Sequence, residues 1–191
     1  MFILYAVPVG IALGLLLGGR LSGLATLEFR WPQLAVLGLL TQVALFLGPV
    51  AERVGDAGPV IYVAASAAVL VALLCNLHIR GLALVAAGAM CNLAAIMANG
   101  GYMPASPEAL AALGKSLGPV YSNSTVRPDP ALEPLTDIFA MPAGVPFANV
   151  FSIGDVLILA GIALALALAM RRGGSAATLN LESSATGSKG L

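Results

Sequence analysis

The sequence predicts an all-α, polytopic membrane protein, on the strength of its apolar runs, its sparse charge and its lack of strand alternation. Five stretches, residues 2–17, 33–50, 59–77, 82–98 and 156–170, are almost purely apolar and free of acidic or basic side chains. Hydrophobic residues make up 59% of the chain and charged ones 9%, against roughly 45 to 50% and 25% in soluble domains. At ~1.5 Å of helical rise per residue each stretch is roughly 22 to 29 Å long, close to the ~30 Å hydrocarbon core. In lipid every backbone N–H and C=O must be paired within the chain, which leaves helices or a closed barrel. Barrel strands alternate apolar and polar residues, whereas these runs do not, so five transmembrane helices are expected. Formal net charge is zero, and the absence of a basic patch excludes nucleic acid as a partner.

The first span has no Lys or Arg before it, and Arg20 follows it, so it reads as a retained helix rather than a secretion signal. Gly10, Gly14 and Gly18 form a stripe at four-residue spacing that lets another backbone approach closely, while Pro8 loosens the first turns. Intrachain packing explains the stripe without a second copy, although a membrane-protein partner or homo-oligomer would use the same device.

The second span carries Gln42 and the fourth carries Asn92, both expected near the bilayer centre as an interhelical polar pair. A tight turn at residues 78–81 makes the third and fourth spans an antiparallel hairpin. This places Cys75 near the inner end and Cys91 in mid-helix, too different in depth for a disulfide, and both read as small buried apolar residues. His78 is the sole histidine and has no partner at ligand spacing, so neither a metal site nor a cofactor is expected. With no Asp, Glu, Lys, Arg or His in the middle of any span, the sequence lacks the titratable pathway of a proton-coupled pump.

Residues 99–155 form a long loop between the fourth and fifth spans, and loops of this length often carry function. It opens Asn99-Gly100-Gly101-Tyr102-Met103-Pro104, which demands a sharp turn. Ser106-Pro107-Glu108 reads as the cap and first turn of a short helix that stops at Gly114, with Leu110, Leu113 and Leu117 available to the membrane surface. A second short helix is expected over residues 134–140. The following Met141-Pro142, Val145-Pro146-Phe147 and Val150-Phe151 are too apolar for a loop free in water, so the loop is expected to fold back over the bundle as a lid. Asn123-Ser124-Thr125 matches a glycosylation acceptor but reads as a polar turn.

The fifth span opens with Ser152-Ile153-Gly154-Asp155, the spacing of a capping box in which Ser152 caps the helix and Asp155 returns a bond to the Ser152 amide. Gly161, Ala165 and Ala169 continue the small-residue device.

Positive charge sets the orientation. Arg20, Arg30, Arg80, Arg171, Arg172 and Lys189 all fall on one side of a five-span chain. Arg53, beside Glu52 and Asp56, falls on the other with the long loop's Lys115 and Arg127. The N-terminus is therefore expected outside, the C-terminus inside, Trp31 at the inner interface, and Tyr5, Tyr62, Tyr102 and Phe151 at the outer one.

Asn99-Gly100-Gly101-Tyr102-Met103-Pro104, the Asp137-Ile138 segment followed by prolines, and Asn149-Val150-Phe151-Ser152-Ile153-Gly154-Asp155-Val156 together resemble a domain-of-unknown-function family of small five-helix bacterial membrane proteins. The resemblance covers roughly residues 1–172, taken as the transmembrane domain, and implies residence in the bacterial cytoplasmic membrane. It implies no activity, cofactor or catalytic residue. Residues 173–191, rich in Ser, Gly, Ala and Thr, fall outside it and are expected to be a disordered cytoplasmic tail.

The candidate outer-face site comprises Asn99, Tyr102, Asp137, Asn149, Ser152 and Asp155. The leading reading is non-enzymatic binding of a lipid, quinone or partner protein beneath the lid. A small transporter or channel component would need a continuous polar path through Gln42, Asn92 and Asn99. A membrane enzyme would need Asp137 and Asp155 as paired carboxylates, close together and with at least one pKa raised.

Overall fold

The computed structural model describes residues 2–114 and 123–187, with side chains described as far as Arg171. The chain is mostly helical: α1 (Ala6–Leu16), α2 (Pro32–Leu45), α3 (Gly48–Val54), α4 (Gly58–Leu74), α5 (Leu82–Ala98), α6 (Pro107–Ala112) and α7 (Ile153–Gly187). Four two-residue strands, β1 (Met103–Pro104), β2 (Ser124–Thr125), β3 (Phe139–Ala140) and β4 (Val150–Phe151), lie in the segment between α5 and α7. Two helical runs, Gly48–Leu74 and Ile153–Arg171, are long and apolar enough to cross a membrane. Phe2–Leu16, Pro32–Leu45 and Leu82–Ala98 are apolar but shorter.

Local chemistry explains most boundaries. Pro8 cannot donate to the preceding turn, and the chain enters α1 through a 3-10 helix at Phe2–Tyr5. The expected second span breaks after Leu45, because Pro49 has no N–H to continue the ladder and α3 restarts from extended Leu47. At the end of α1, the Gly18 N–H bonds to the Leu15 carbonyl and the Gly19 N–H to Gly14, at 2.9 and 2.8 Å. Gly18 has φ +75° with open space around it. This is a Schellman ending, so Gly18 terminates the helix and is not part of the packing stripe expected of it.

α7 is the centre of the assembly. It packs on α1 along one side and on α5 along another; α5 in turn meets α4, and α4 meets α2. Each seam depends on missing side chains. A Cβ on Gly10 would lie 2.9 Å from the Ala163 Cα, and one on Gly14 would lie 2.5 Å from the Met170 sulfur. On the antiparallel α5–α7 seam, Gly161 lies against Val85, and Gly88 against Gly154 and Ile158. Gly38 of α2 fits against Ala65 and Val69 of α4. Such close approach converts backbone contact into dispersion energy, the usual source of helix association where no water is displaced.

Gln42 and Asn92 do not pair. α4 stands between their helices in this order, and Asn92 turns its amide to α7 instead. Cys75 is exposed, contrary to its reading as a buried residue, while Cys91 is half-buried, and both are free thiols. α7 stays helical as far as Gly187, through much of the stretch whose composition predicts disorder, since extending an existing helix needs no new nucleus. Residues 188–191 lie outside the described residues.

One buried residue organises the arginine-bearing end. Asn76, fully buried after α4, accepts from the Arg30 N–H and donates to the Arg30 and Ala72 carbonyls, each at 2.7 Å. At the same end the Arg20 N–H reaches the Met170 carbonyl at 2.9 Å.

Candidate functional site

At the opposite end, residues 99–114 and 123–155 fold back on the helices. Asn99, 1% exposed, donates to the Ala95 and Ala131 carbonyls at 2.8 Å each and accepts from the Ala131 N–H at 3.0 Å. It thereby ties the middle of the segment to the end of α5. Gly100 and Gly101 have φ +74° and +90°, and Gly101 lies so close to Pro59 that no side chain fits. Met103 joins Leu45, Tyr62, Ala95 and Ile96 in a buried cluster, with Leu135 packed against it. Asn123 donates to the Tyr62 hydroxyl at 3.0 Å, the Tyr5 hydroxyl donates to the Pro146 carbonyl, and Phe2 stacks on Phe151 with centroids 4.3 Å apart. Side chains from four helical segments thus hold this lid.

Within it, Ser106 caps α6 by accepting from the Ala109 N–H at 3.2 Å and donates to the Glu108 carboxylate at 2.6 Å, which holds Glu108 below the ordinary carboxylate range. Leu110 is buried with Ala105, Ala109 and Val150, and Leu113 packs against them, so α6 turns its leucines into the lid rather than onto a membrane surface. Leu117 lies outside the described residues. The helix expected over residues 134–140 is only a 3-10 turn at Glu133–Leu135. Beyond it the backbone is taken by pairing: the Asp137 N–H bonds to the Pro104 carbonyl at 2.9 Å, and the Ser106 N–H to the Asp137 carbonyl at 3.0 Å.

β3 and β4 pair antiparallel, Phe139 opposite Phe151, and deliver the chain directly into α7. There the expected capping box forms in full. The Asp155 N–H bonds to the Ser152 hydroxyl at 3.1 Å, and the Ser152 N–H to Asp155 Oδ2 at 3.3 Å. Asn92 extends the box across the α5–α7 seam, donating to Asp155 Oδ1 and accepting from the Ser152 hydroxyl, both at 2.8 Å. Gly154 is needed here because a Cβ would collide with the Asn92 side chain.

Asp137 sits beside this network and outside it. Its side chain is 9% exposed, and among the described residues its carboxyl has no hydrogen-bond partner. Burial, and then the nearby Asp155 charge, raise its pKa from 3.8 to about 7. A buried carboxyl left unpaired is an unusual expense for a fold, and such groups concentrate at functional sites.

The outer-face candidates therefore separate by role. Ser152 and Asp155 come together, joined by Asn92, which the sequence paired with Gln42, while Asp137 stays outside their hydrogen bonds and within reach of the Asp155 charge. Asn99 anchors the lid. Asn149 contributes its backbone carbonyl to Met141 at 3.1 Å, and Tyr102 is half-buried near the lid's opening turn. Sequence reasoning missed a cleft of about 430 Å³ on the other side of the Asp137 strand, lined by Ser106, Glu108, Arg127, Glu133, Thr136 and Ile138 among others. Thr136 and Ile138 line it while Asp137 does not, in keeping with the alternation of an extended chain. Among the described residues no three His, Cys, Asp or Glu side chains gather as metal ligands.

No curated protein and no solved structure matches the chain. A family profile covers residues 26–167, which takes in the second to fourth apolar stretches, the segment between α5 and α7 with Asp137, Ser152 and Asp155, and most of the fifth stretch. The chain belongs to DUF5317, a family of unknown function.

Proposed function

We propose that this is a five-span protein of the bacterial cytoplasmic membrane, with its N-terminus and lid outside and its C-terminus inside, that binds a lipid or quinone beneath the lid without chemical turnover. Apolar exposure supports the membrane reading. Leu13, Leu15 and Leu16 of α1, and Val36, Leu37, Leu39, Leu40 and Val43 of α2, are all exposed, a surface that suits lipid and not water. The arginine-bearing connections at Arg20 and Arg30 gather at the end opposite the lid, as the positive-inside rule requires of the inner face.

The observation that carries the binding reading is the Asp137 carboxyl, buried at the junction of lid and helices with no partner of its own. A ligand headgroup entering there would supply the missing interaction. Catalysis by the Asp137 and Asp155 pair has the raised pKa in its favour, yet both Asp155 oxygens are already engaged by Asn92 and Ser152. That favours a fixed binding group over a working acid or base.

Two experiments test this reading. A periplasm-active phosphatase inserted at exposed Gly144 and a fluorescent protein fused after Leu191 should both be active; the reverse pattern overturns the orientation. Mass spectrometry of protein purified in mild detergent should find a lipid or quinone at stoichiometric level in the wild type and depleted in Asp137→Asn. Equal recovery from both would remove Asp137 from the site.

A further inference from the structure

The cleft on the far side of the Asp137 strand gathers charges of both signs around one space. Glu108, Arg127 and Glu133 all line its volume of about 430 Å³, which falls within the roughly 300 to 1,000 Å³ typical of small-molecule sites. Arg127 is the one cationic side chain in the described part of the lid, and among the described residues it has neither an ion pair nor a hydrogen bond. The Glu133 carboxylate is equally without a partner among them. The three side chains face one cleft and do not satisfy one another.

Their surroundings hold these groups in place. Pro104, Pro107, Pro128 and Pro130 form much of the wall, a stiff lining that offers no N–H donor and loses little entropy when a guest binds. The amides of Ala105, Ser106, Thr136 and Ile138 are spent on the Thr125, Asp137, Glu133 and Thr136 carbonyls at 2.8 to 3.0 Å. The Ser106 and Thr136 hydroxyls donate to the Glu108 carboxylate at 2.6 Å and the Glu133 carbonyl at 2.7 Å. Among the lining side chains only Arg127 keeps free donors. Its guanidinium rests over the Gly100 turn, where an added Cβ would lie 3.6 Å from Nη2. Glu133 is presented by a strained turn, since Leu132 before it takes φ +54°, and strain of this kind concentrates at ligand clamps.

Two carboxylates and one guanidinium select a guest that carries both signs. An ammonium brings three donors for the acceptors of Glu108 and Glu133, and a planar anion matches the guanidinium fork. A bare cation would leave Arg127 unused, and a bare anion would face two carboxylates.

We infer that this cleft binds a small zwitterion, Arg127 taking its anionic group and Glu108 and Glu133 its ammonium. A free α-amino acid and the ethanolamine phosphate headgroup of a lipid share that chemistry. The site is separate from the Asp137 junction and goes beyond the lipid or quinone reading.

The test is equilibrium dialysis of the full-length protein in dodecyl maltoside against an equimolar mixture of the common α-amino acids and glycerophosphoethanolamine, with retained solutes quantified by mass spectrometry. Saturable retention of at least one of these zwitterions is expected, and the species retained tells amino acid from headgroup. Arg127→Gln and Glu133→Gln should each weaken retention about tenfold or more, the usual worth of a charge-assisted hydrogen bond. Arg127→Lys, which keeps the charge and loses the fork, should fall between Arg127→Gln and the wild type. Asp129→Asn, which alters an exposed acid outside the lining, should retain the solute as the wild type does. For a retained amino acid, the N-acetyl and amide derivatives, each lacking one charge, should compete poorly. Retention of none of the zwitterions, undiminished retention in Arg127→Gln, or equal competition by the singly charged derivatives overturns the inference. The lipid or quinone recovered from the same preparation is a separate readout, so this cleft and the Asp137 junction fail independently.

Discussion

Asn92 donates to the Asp155 carboxylate at 2.8 Å across the α5–α7 seam, joining two residues 63 positions apart in the chain. The contact makes a helix cap into an interhelical lock: the acid that organises the first turn of α7 also fixes the register of α5 against it. Replacement of Asp155 by Ala removes both accepted bonds and should destabilise the protein by ~0.5 to 2 kcal/mol, the usual cost of a lost cap. Asn at this position keeps one acceptor oxygen and should fall between Ala and the wild type. Thermal melts of the two variants decide the point, and a wild-type midpoint in the Ala variant would show the cap to be dispensable.

Asp137 makes stability depend on pH. Its folded-state pKa of about 7 stands above its ordinary 3.8, so the folded protein holds the proton more tightly than the unfolded chain between those values. Stability from this group is therefore complete below about pH 4 and is lost as pH rises through 7. The full loss is on the order of 4 kcal/mol. Asp137→Asn should flatten the profile between about pH 4 and 7 and be more stable than the wild type at pH 8. Parallel profiles for the two proteins would mean that Asp137 is ionised at no cost.

The α1–α7 seam separates two glycines that look equivalent in sequence. Gly10→Ala drives a methyl group into the backbone at Ala163, which cannot yield, whereas Gly14→Ala meets the flexible Met170 side chain. Overpacking costs ~1 to 3 kcal/mol, against a helix-propensity gain of up to ~1 kcal/mol for losing a glycine. Gly10→Ala should lower the melting temperature clearly, and Gly14→Ala should leave it nearly unchanged. A harmless Gly10→Ala would show that the seam is loose.

Asn76→Ala breaks all three of its hydrogen bonds and leaves the part-buried Arg30 N–H and C=O without their partner. Each stranded group costs ~1 to 3 kcal/mol. A loss of ~2 kcal/mol or more is expected in detergent unfolding, with protease sensitivity rising around Arg30. Unchanged cleavage there would indicate that water replaces the amide.

Much of this was readable beforehand where chemistry is local. The fourth span matched α5 over residues 82–98 because Gly81 and Asn99 bound it sharply, and Ser152 with Asp155 announced a cap through spacing alone. Contacts between distant residues were not readable. Asn92 looked like a mid-membrane amide because sequence gives its position along a helix but not which helix lies beside it. Asn76 was passed over for the same reason: its partner, the Arg30 backbone, has no side-chain signature. The helix expected over residues 134–140 was lost to pairing with Pro104 and Ser106, a tertiary competitor that overrides local preference.

The position of α7 between α1 and α5 bears on how the protein is made. α1 is synthesised well before α7, its principal packing partner. Throughout translation the glycine face at Gly10 and Gly14 has no mate, and α2, next in the chain, docks on α4 instead. The seam to α1, the seam to α5 and the capping network with Asn92 therefore all wait on the arrival of α7.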